Sequence, residues 1–303
     1  MQDLTRRAKI AAGFIAIYAA LILLLVGWRS DHTFFVLFIS AIILLHKKSF
    51  NWVIFLSAFI VFWITYDLMR IYPNYLLNPV HVQEPYDIEL RLFGVWDNGI
   101  KVIPSEWFTV RTTPFLSIFS GISYLLWVPG PIIYTLFLAH TDPKKMVNFS
   151  YAFLLTNFIG FVIYYLYPAA PPWYYINYGD ATDFTIPGSE ALLAEFDSIV
   201  GIPIFNGMYA KNANVFAAIP SLHAAYPVIG LLFSIKHRNK SFIGFFSILT
   251  FGIWFAAVYS QHHYIIDLIL GLFCAVGAYF LMRWLVSTKA YQTFQDAIIR
   301  QIR

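Results

Sequence analysis

Long apolar runs alternate with short polar turns along most of the chain. The runs fall at about 10–28, 33–46, 50–69, 115–139, 147–167, 222–235, 242–260 and 264–286. A helix needs roughly 20 apolar residues to cross the hydrocarbon core of a bilayer. The second and sixth runs are short for this, and are expected to tilt, to borrow flanking polar residues or to span incompletely. A helix closes its own backbone hydrogen bonds in lipid. The pattern therefore predicts an all-α polytopic membrane protein of about eight transmembrane helices. Two long polar loops, 70–114 and 168–221, interrupt it. The first is expected to carry a helix along the membrane interface. The second opens with Tyr167-Pro-Ala-Ala-Pro-Pro-Trp-Tyr-Tyr175, whose prolines cannot continue a helix and turn the backbone rigidly.

Composition excludes a soluble domain. The 303 residues are 59% hydrophobic and 12% charged, with a mean hydropathy of +0.66. Aromatics reach 19%, with 20 Tyr and 9 Trp, as suits a chain with much interfacial surface. The single cysteine, Cys274, lies inside an apolar run, so no intrachain disulfide forms. Arg6, Arg7 and Lys9 precede the first run as in a signal peptide. No small-x-small cleavage site follows, and the run ends in Trp28-Arg29, so it is expected to remain as a first helix.

The net charge of +4 matters less than its placement. Basic residues fall in every second turn: His46-Lys47-Lys48, then Lys144-Lys145, then Lys236-His237-Arg238-Asn239-Lys240, with Lys289, Arg300 and Arg303 in the tail. The alternate segments are mixed or acidic, with Glu84, Asp87, Glu89, Asp97, Glu106, Asp180, Asp183, Glu190, Glu195 and Asp197. The positive-inside rule then puts both termini in the cytoplasm and both long loops outside. Eight spans fit this, as does a six-helix core preceded by two extra helices.

Candidate chemistry collects on the outer side. His263 and Asp267 are four residues apart, one turn of a helix, so the carboxylate can orient the imidazole. His262 lies about 140° round from Asp267 at ~3.6 residues per turn. An imidazole held by a carboxylate has a fixed tautomer and a second nitrogen available for nucleophilic or general-base work. His223 follows Pro220 and Ser221, and Ser221 is a plausible N-cap. Two helix N-termini facing one pocket would supply unpaired N–H groups, a natural seat for phosphate. Taken singly, His223 reads as an interfacial histidine and His263–Asp267 as a self-neutralising pair. Asp267 about a turn inside an apolar run weighs against that, because ionisable groups there are costly and usually functional. Adjacent histidines point to different helix faces and no carboxylate or cysteine clusters near His223, so neither metal nor cofactor is expected.

Pro220-Ser-Leu-His-Ala-Ala225 and His262-His-Tyr-Ile-Ile-Asp-Leu268 resemble the second and third motifs of the type 2 phosphatidic acid phosphatase (PAP2) superfamily. Tyr167-Pro-Ala-Ala-Pro-Pro-Trp-Tyr174, with the other two in this order, is similar to the inositol phosphorylceramide synthase branch. The resemblance covers roughly 115–286 and implies a six-helix PAP2-like catalytic core within 115–303, preceded by membrane helices and an outer loop in 1–114, as one integrated membrane domain. It implies that His263 attacks phosphorus, that Asp267 orients it and that His223 protonates the departing oxygen. It further implies transfer of inositol phosphate, or a similar phosphoalcohol, from a phosphatidylinositol-like donor to a ceramide-like acceptor, with diacylglycerol as product. The partners are then membrane lipids, with no nucleic acid.

One departure matters. Lipid phosphatases of the superfamily carry Ser-Arg where Ala256 and Ala257 stand, and a Lys…Arg-Pro first motif that has no counterpart here. A phosphomonoester dianion would want that arginine's bidentate grip, so its absence argues for a phosphodiester. The cationic partner of the phosphate must then come from Arg70, Arg91, Lys101, Arg111 or Lys211. Arg70, in Tyr66-Asp67-Leu-Met-Arg70, is favoured, with Asp67 beside it; a structural ion pair is the competing reading. Ser221, Pro171, Pro172, Trp173 and Tyr174 complete the expected substrate-binding set, and interfacial anchoring is the competing role of the two aromatics. A lipid phosphatase or pyrophosphatase with water as acceptor is the alternative function. A non-catalytic transporter is a third, and the internal symmetry it would call for is not apparent in the sequence.

Overall fold

The computed structural model describes residues 2–45, 53, 56–211 and 214–302. Every apolar run has helical counterparts there. They are α1 (Gln2–Leu25), α2 (Ser30–Leu45), α3 (Ser57–Leu68), α6 (Pro114–Leu125), α7 (Pro129–Thr141), α8 (Pro143–Leu166), α12 (Leu222–Lys236), α13 (Lys240–Tyr259) and α14 (Ile265–Val286). Between them lie the loop helices α4 (Gln83–Phe93), α5 (Pro104–Trp107), α9 (Pro172–Tyr178), α10 (Ala194–Val200) and α11 (Ile204–Tyr209). A terminal amphipathic helix α15 (Lys289–Ile302) follows α14. His46, Lys47, Lys48, Arg303 and most of 50–55 lie outside the described residues.

Among the described residues, four helices are long and apolar enough to cross a membrane, within α1, α8, α13 and α14. A fifth is counted if α6 and α7 form one bent span, and α2, α3 and α12 are shorter apolar helices. Phe115, Ile248, Phe251, Phe273 and Trp284 are exposed on these helices. Apolar exposure on this scale is that of an integral membrane protein. The run at 115–139, expected as one helix, is two helices bent by 45°. Pro129 lacks an N–H and disfavours a helical Val128, and Pro131 follows two residues later.

The chain forms two compact units, residues 1–72 with 135–154 and 284–303, and residues 73–134 with 155–283. In the first, α1 packs on α2 through Ala11, Ile39 and Ile43. Arg29 joins Asp31 to Asp67 there, at 3.0 and 2.6 Å. The second unit contains both histidine motifs. Its helices start and stop on sequence signals. The Thr113 hydroxyl caps α6 at the Leu116 amide with Pro114 in the first turn, Ser221 caps α12 at Ala224, and Asn239 caps α13 at Phe242. Residues 168–170 run as an extended strip between His81 and 216–218. The strip is held by His81 N–H to the Pro168 carbonyl at 2.8 Å and Ala169 N–H to the Phe216 carbonyl at 3.0 Å. The start of α12 then meets α14 backbone to backbone. The Ser221 amide donates to the Asp267 carbonyl at 2.9 Å, and Gly271 stands where any Cβ would collide with the Ser221 carbonyl.

Candidate active site

α13 ends at Tyr259, and the chain turns through Ser260 to Tyr264 before α14 begins. Gln261 has a left-handed φ of 65° in this turn. The amides of His262 and His263 both donate to the Ala257 carbonyl at 3.1 Å, which fixes the turn from inside. His263 therefore precedes the helix instead of sharing a helical face with Asp267, which corrects the spacing argument. Asp267 is the third residue of α14 and reaches back over the first turn. Its Oδ2 accepts from the Tyr264 amide at 2.9 Å and lies 3.2 Å from His263 Nδ1. This is the returning half of a capping box, with a histidine side chain added to the same oxygen. Asp267 is fully buried.

His223 sits on the first turn of α12, and its ring centroid is 5.9 Å from that of His263. Its Nδ1 lies 3.1 Å from the Tyr124 hydroxyl, and the Trp127 ring meets it edge-on at 4.6 Å. His262 turns elsewhere. It stacks on Tyr209 at 4.2 Å, and its Nε2 lies 3.1 Å from the Glu190 carbonyl. Burial pushes the His263 imidazole down to about 4, against the pull of a hydrogen bond with the Ala218 backbone. At neutral pH it is an uncharged imidazole with Nδ1 engaged by a carboxylate. Among the described residues no group of three His, Cys, Asp or Glu side chains has metal-binding geometry.

The phosphate seat differs from expectation. The first amides of α14 are already taken, since Ile265 N–H and Ile266 N–H donate to Glu89 Oε1 and Oε2 at 2.9 and 3.3 Å. That helix end is thus closed to an anion. At α12 the Ser221 hydroxyl takes only the Ala224 amide. Among the described residues, no acceptor pairs with the amides of Leu222 and His223. Ser221 itself is fully buried and serves as the cap.

The remaining expected residues are distributed as follows. Pro171 and Pro172 are buried at the start of α9. Trp173 and Tyr174 pack in a core with Val82, Ala170 and Phe216. Being 3% and 0% exposed, they are not interfacial anchors: the aromatic block folds inward over the strip at 168–170. The Trp173 amide donates to the Gln261 carbonyl at 2.9 Å, which ties the proline-rich block to the histidine turn. Asp67 and Arg70 belong to the first unit, where they pair at 2.9 Å with Arg29 on the same carboxylate oxygen. Arg111 pairs with Asp97 at 2.6 Å and lies over Trp107. Lys101 Nζ reaches the Arg91 carbonyl at 3.4 Å, and Arg91 and Lys211 are exposed residues. Sequence reasoning missed Tyr124 and Glu89. Both contacts join residues far apart in the chain, so no local spacing signals them.

Two histidines thus meet at two helix starts, one gripped by a carboxylate, in an integral membrane protein, and the chain belongs to the PAP2 superfamily, whose family model matches residues 94–281. Within that superfamily it falls in the inositol phosphorylceramide synthase branch. It is 42% identical over 296 residues to a phosphoinositol dihydroceramide synthase of Bacteroides thetaiotaomicron, covering 95% of this chain and 97% of that one. It is 26% identical over 223 residues to the inositol phosphorylceramide synthase catalytic subunit of Saccharomyces cerevisiae, covering 70% of this chain and 52% of the yeast protein. The inositol phosphorylceramide synthase of Candida albicans is 28% identical over 200 residues, which is 56% of this chain and 41% of that one. No solved structure matches the chain.

Proposed function

We propose that the protein moves inositol phosphate from a phosphatidylinositol-like donor to the hydroxyl of a ceramide-like acceptor and releases diacylglycerol. The observation that carries this is the pair of histidines 5.9 Å apart, each with Nδ1 already engaged. His263 attacks phosphorus through Nε2 while the P–O bond to diacylglycerol breaks. His223, protonated, gives its proton to the departing oxygen. An inositol-phosphohistidine remains, with one ester bond to inositol and one P–N bond, and Asp267 stabilises the charge on the His263 ring. The ceramide hydroxyl then loses its proton to His223 and attacks phosphorus, the P–N bond breaks, and both histidines return to their starting states. Such proton transfer is typically worth ~10²–10⁴-fold. The α12 N-terminus, with the Leu222 and His223 amides, suits the single charge of a phosphodiester.

The pair Ala256 and Ala257 supports a diester over a monoester substrate: both are fully buried, and Ala257 is committed through its carbonyl to the histidine turn. In this reading 115–303 supplies the catalytic helices and 1–114 the preceding membrane helices and outer loop. Arg70 and Asp67, paired with Arg29 within the first unit, take no step in this reading. Eight spans with both termini cytoplasmic put the site on the periplasmic or lumenal face. Cysteines at Asn98 and Asn239 in a Cys274-free background should then label from opposite sides of sealed cells. The decisive experiment is incubation of purified protein with labelled phosphatidylinositol, with and without ceramide. Label should pass to the sphingolipid, and diacylglycerol release should depend on the acceptor. Acceptor-independent phosphate release from phosphatidic acid would instead make the protein a lipid phosphatase.

A further inference from the structure

Glu89 stands on the amphipathic helix α4 of the first outer loop, and no step of the transfer uses it. It is nevertheless fully buried. Each of its oxygens accepts one amide of the first turn of α14, Ile265 at 2.9 Å and Ile266 at 3.3 Å. A buried carboxylate is costly unless it is well hydrogen-bonded, and a neutral Ser or Thr cap satisfies such amides at lower cost. The ionised form fits this contact better, because both oxygens then accept at full strength, whereas a protonated carboxyl leaves a weaker acceptor at its hydroxyl oxygen. The same loop braces the histidine turn at further points. The Ser105 hydroxyl donates to the His263 carbonyl at 3.3 Å, and Gln261 Nε2 donates to the Thr109 hydroxyl at 2.8 Å.

We propose that Glu89 is a positioning residue for phosphoryl transfer: by clamping the first amides of α14 it holds Asp267 where its carboxylate grips His263 Nδ1. The proposal rests on His263 being the nucleophile. Burial holds the Glu89 carboxyl up to about 7; the two amides lower it and the Asp267 charge raises it. Asp267 and the Tyr264 phenol are the titratable groups that face it. Close to neutrality a proton therefore competes with the clamp, whereas His263, at about 4, stays neutral. Activity should rise with pH through about 7.

Glu89→Gln keeps the length of the side chain but leaves one acceptor for two amides. It should lower kcat about tenfold or more, change KM little, and remove the acid limb near pH 7. The imidazole ¹⁵N resonances of His263, assigned by their loss in His263→Ala, should pass from one tautomer to a mixture. Unchanged kcat with a single retained tautomer would overturn the proposal. So would an acid limb near pH 4 in the unmodified protein, a measurement that needs no variant to fold. If the unmodified protein transfers no label from phosphatidylinositol to ceramide, the transferase reading fails, and the tautomer comparison alone decides the role of Glu89.

Discussion

The Tyr124 hydroxyl lies 3.1 Å from Nδ1 of His223, and the two rings pack 4.9 Å apart. What Asp267 does for His263 with a charge, Tyr124 does for His223 with a neutral group. The difference suits the tasks proposed for them. A nucleophile gains from a fixed negative partner that stabilises the ring once phosphorus is attached. A group that gives and takes a proton in successive steps needs a partner that tolerates both states, and a phenol can donate or accept. Tyr124→Phe keeps the packing and removes the hydrogen bond. Turnover should fall about tenfold, the scale of one hydrogen bond, with little loss of thermal stability. Steady-state transfer by this variant at the rate of the unmodified protein would remove Tyr124 from the site's chemistry.

His223→Ala and His263→Ala should each abolish transfer in folded, membrane-inserted protein. Asp267→Asn separates charge from hydrogen bonding. Among the described residues Asp267 Oδ1 has no partner, so the asparagine amide nitrogen can occupy that side while its oxygen keeps both the Tyr264 and His263 bonds. Loss of the charge that would stabilise the imidazolium should still cost roughly 10²-fold or more. His262→Ala should be far milder, because its contacts are Tyr209 and the Glu190 carbonyl. An essential His262 with a dispensable His263 would reverse the assignment.

Two buried groups outside the spans pull stability in opposite directions with pH. The folded pKa of His263 is depressed from 6.5 to about 4 by burial. Its neutral form is the folded one, so stability is present above 6.5 and lost as pH falls towards 4. His262 is shifted the same way by burial. For Glu89 burial raises the folded pKa from 4.5 to about 7, so stability is present below 4.5 and lost as pH rises through 7. Between these limits the slopes oppose. Thermal melts of Glu89→Gln in detergent should therefore climb more steeply from pH 4 to 6.5 than those of the unmodified protein. Parallel curves would mean that Glu89 does not titrate in that window.

Trp173 holds the Gln261 carbonyl through its amide while its ring is buried. On the proposed function the block would keep water from the histidines, so that a positioned lipid hydroxyl, with an effective molarity up to ~10⁵–10⁸ M, outcompetes it. Trp173→Ala, or polar replacements across Pro171 to Tyr174, should raise the ratio of free inositol phosphate to phosphosphingolipid. Product ratios by thin-layer chromatography decide it. A fall in both products without a change in ratio would mean that the block serves stability alone.

That His223, His263 and Asp267 come together was legible because their local signals are written in sequence. Pro220-Ser-Leu-His223 states its own cap, and His263 and Asp267 lie within one turn of each other. The way they meet was not legible. Spacing put His263 and Asp267 on one helical face, whereas the helix begins after the histidine and the carboxylate folds back. The same arithmetic left the α14 amides open for phosphate, because Glu89 closes them from 176 residues away. Trp173 and Tyr174 looked interfacial by composition, yet tertiary packing with Val82 and Phe216 turned them inward. The break between α6 and α7 was written in Pro129 and Pro131, and apolar content alone concealed it.

Gly271 gives the site a consequence of its own. At the crossing of α12 and α14 bare backbone rests on bare backbone, with no side chain between them that could change rotamer. That crossing sets the separation of α12 and α14, and with it the 5.9 Å spacing of the His223 and His263 rings. A single methyl group there, in Gly271→Ala, should widen it and cost turnover far more than binding, measured as a fall in kcat at nearly constant KM.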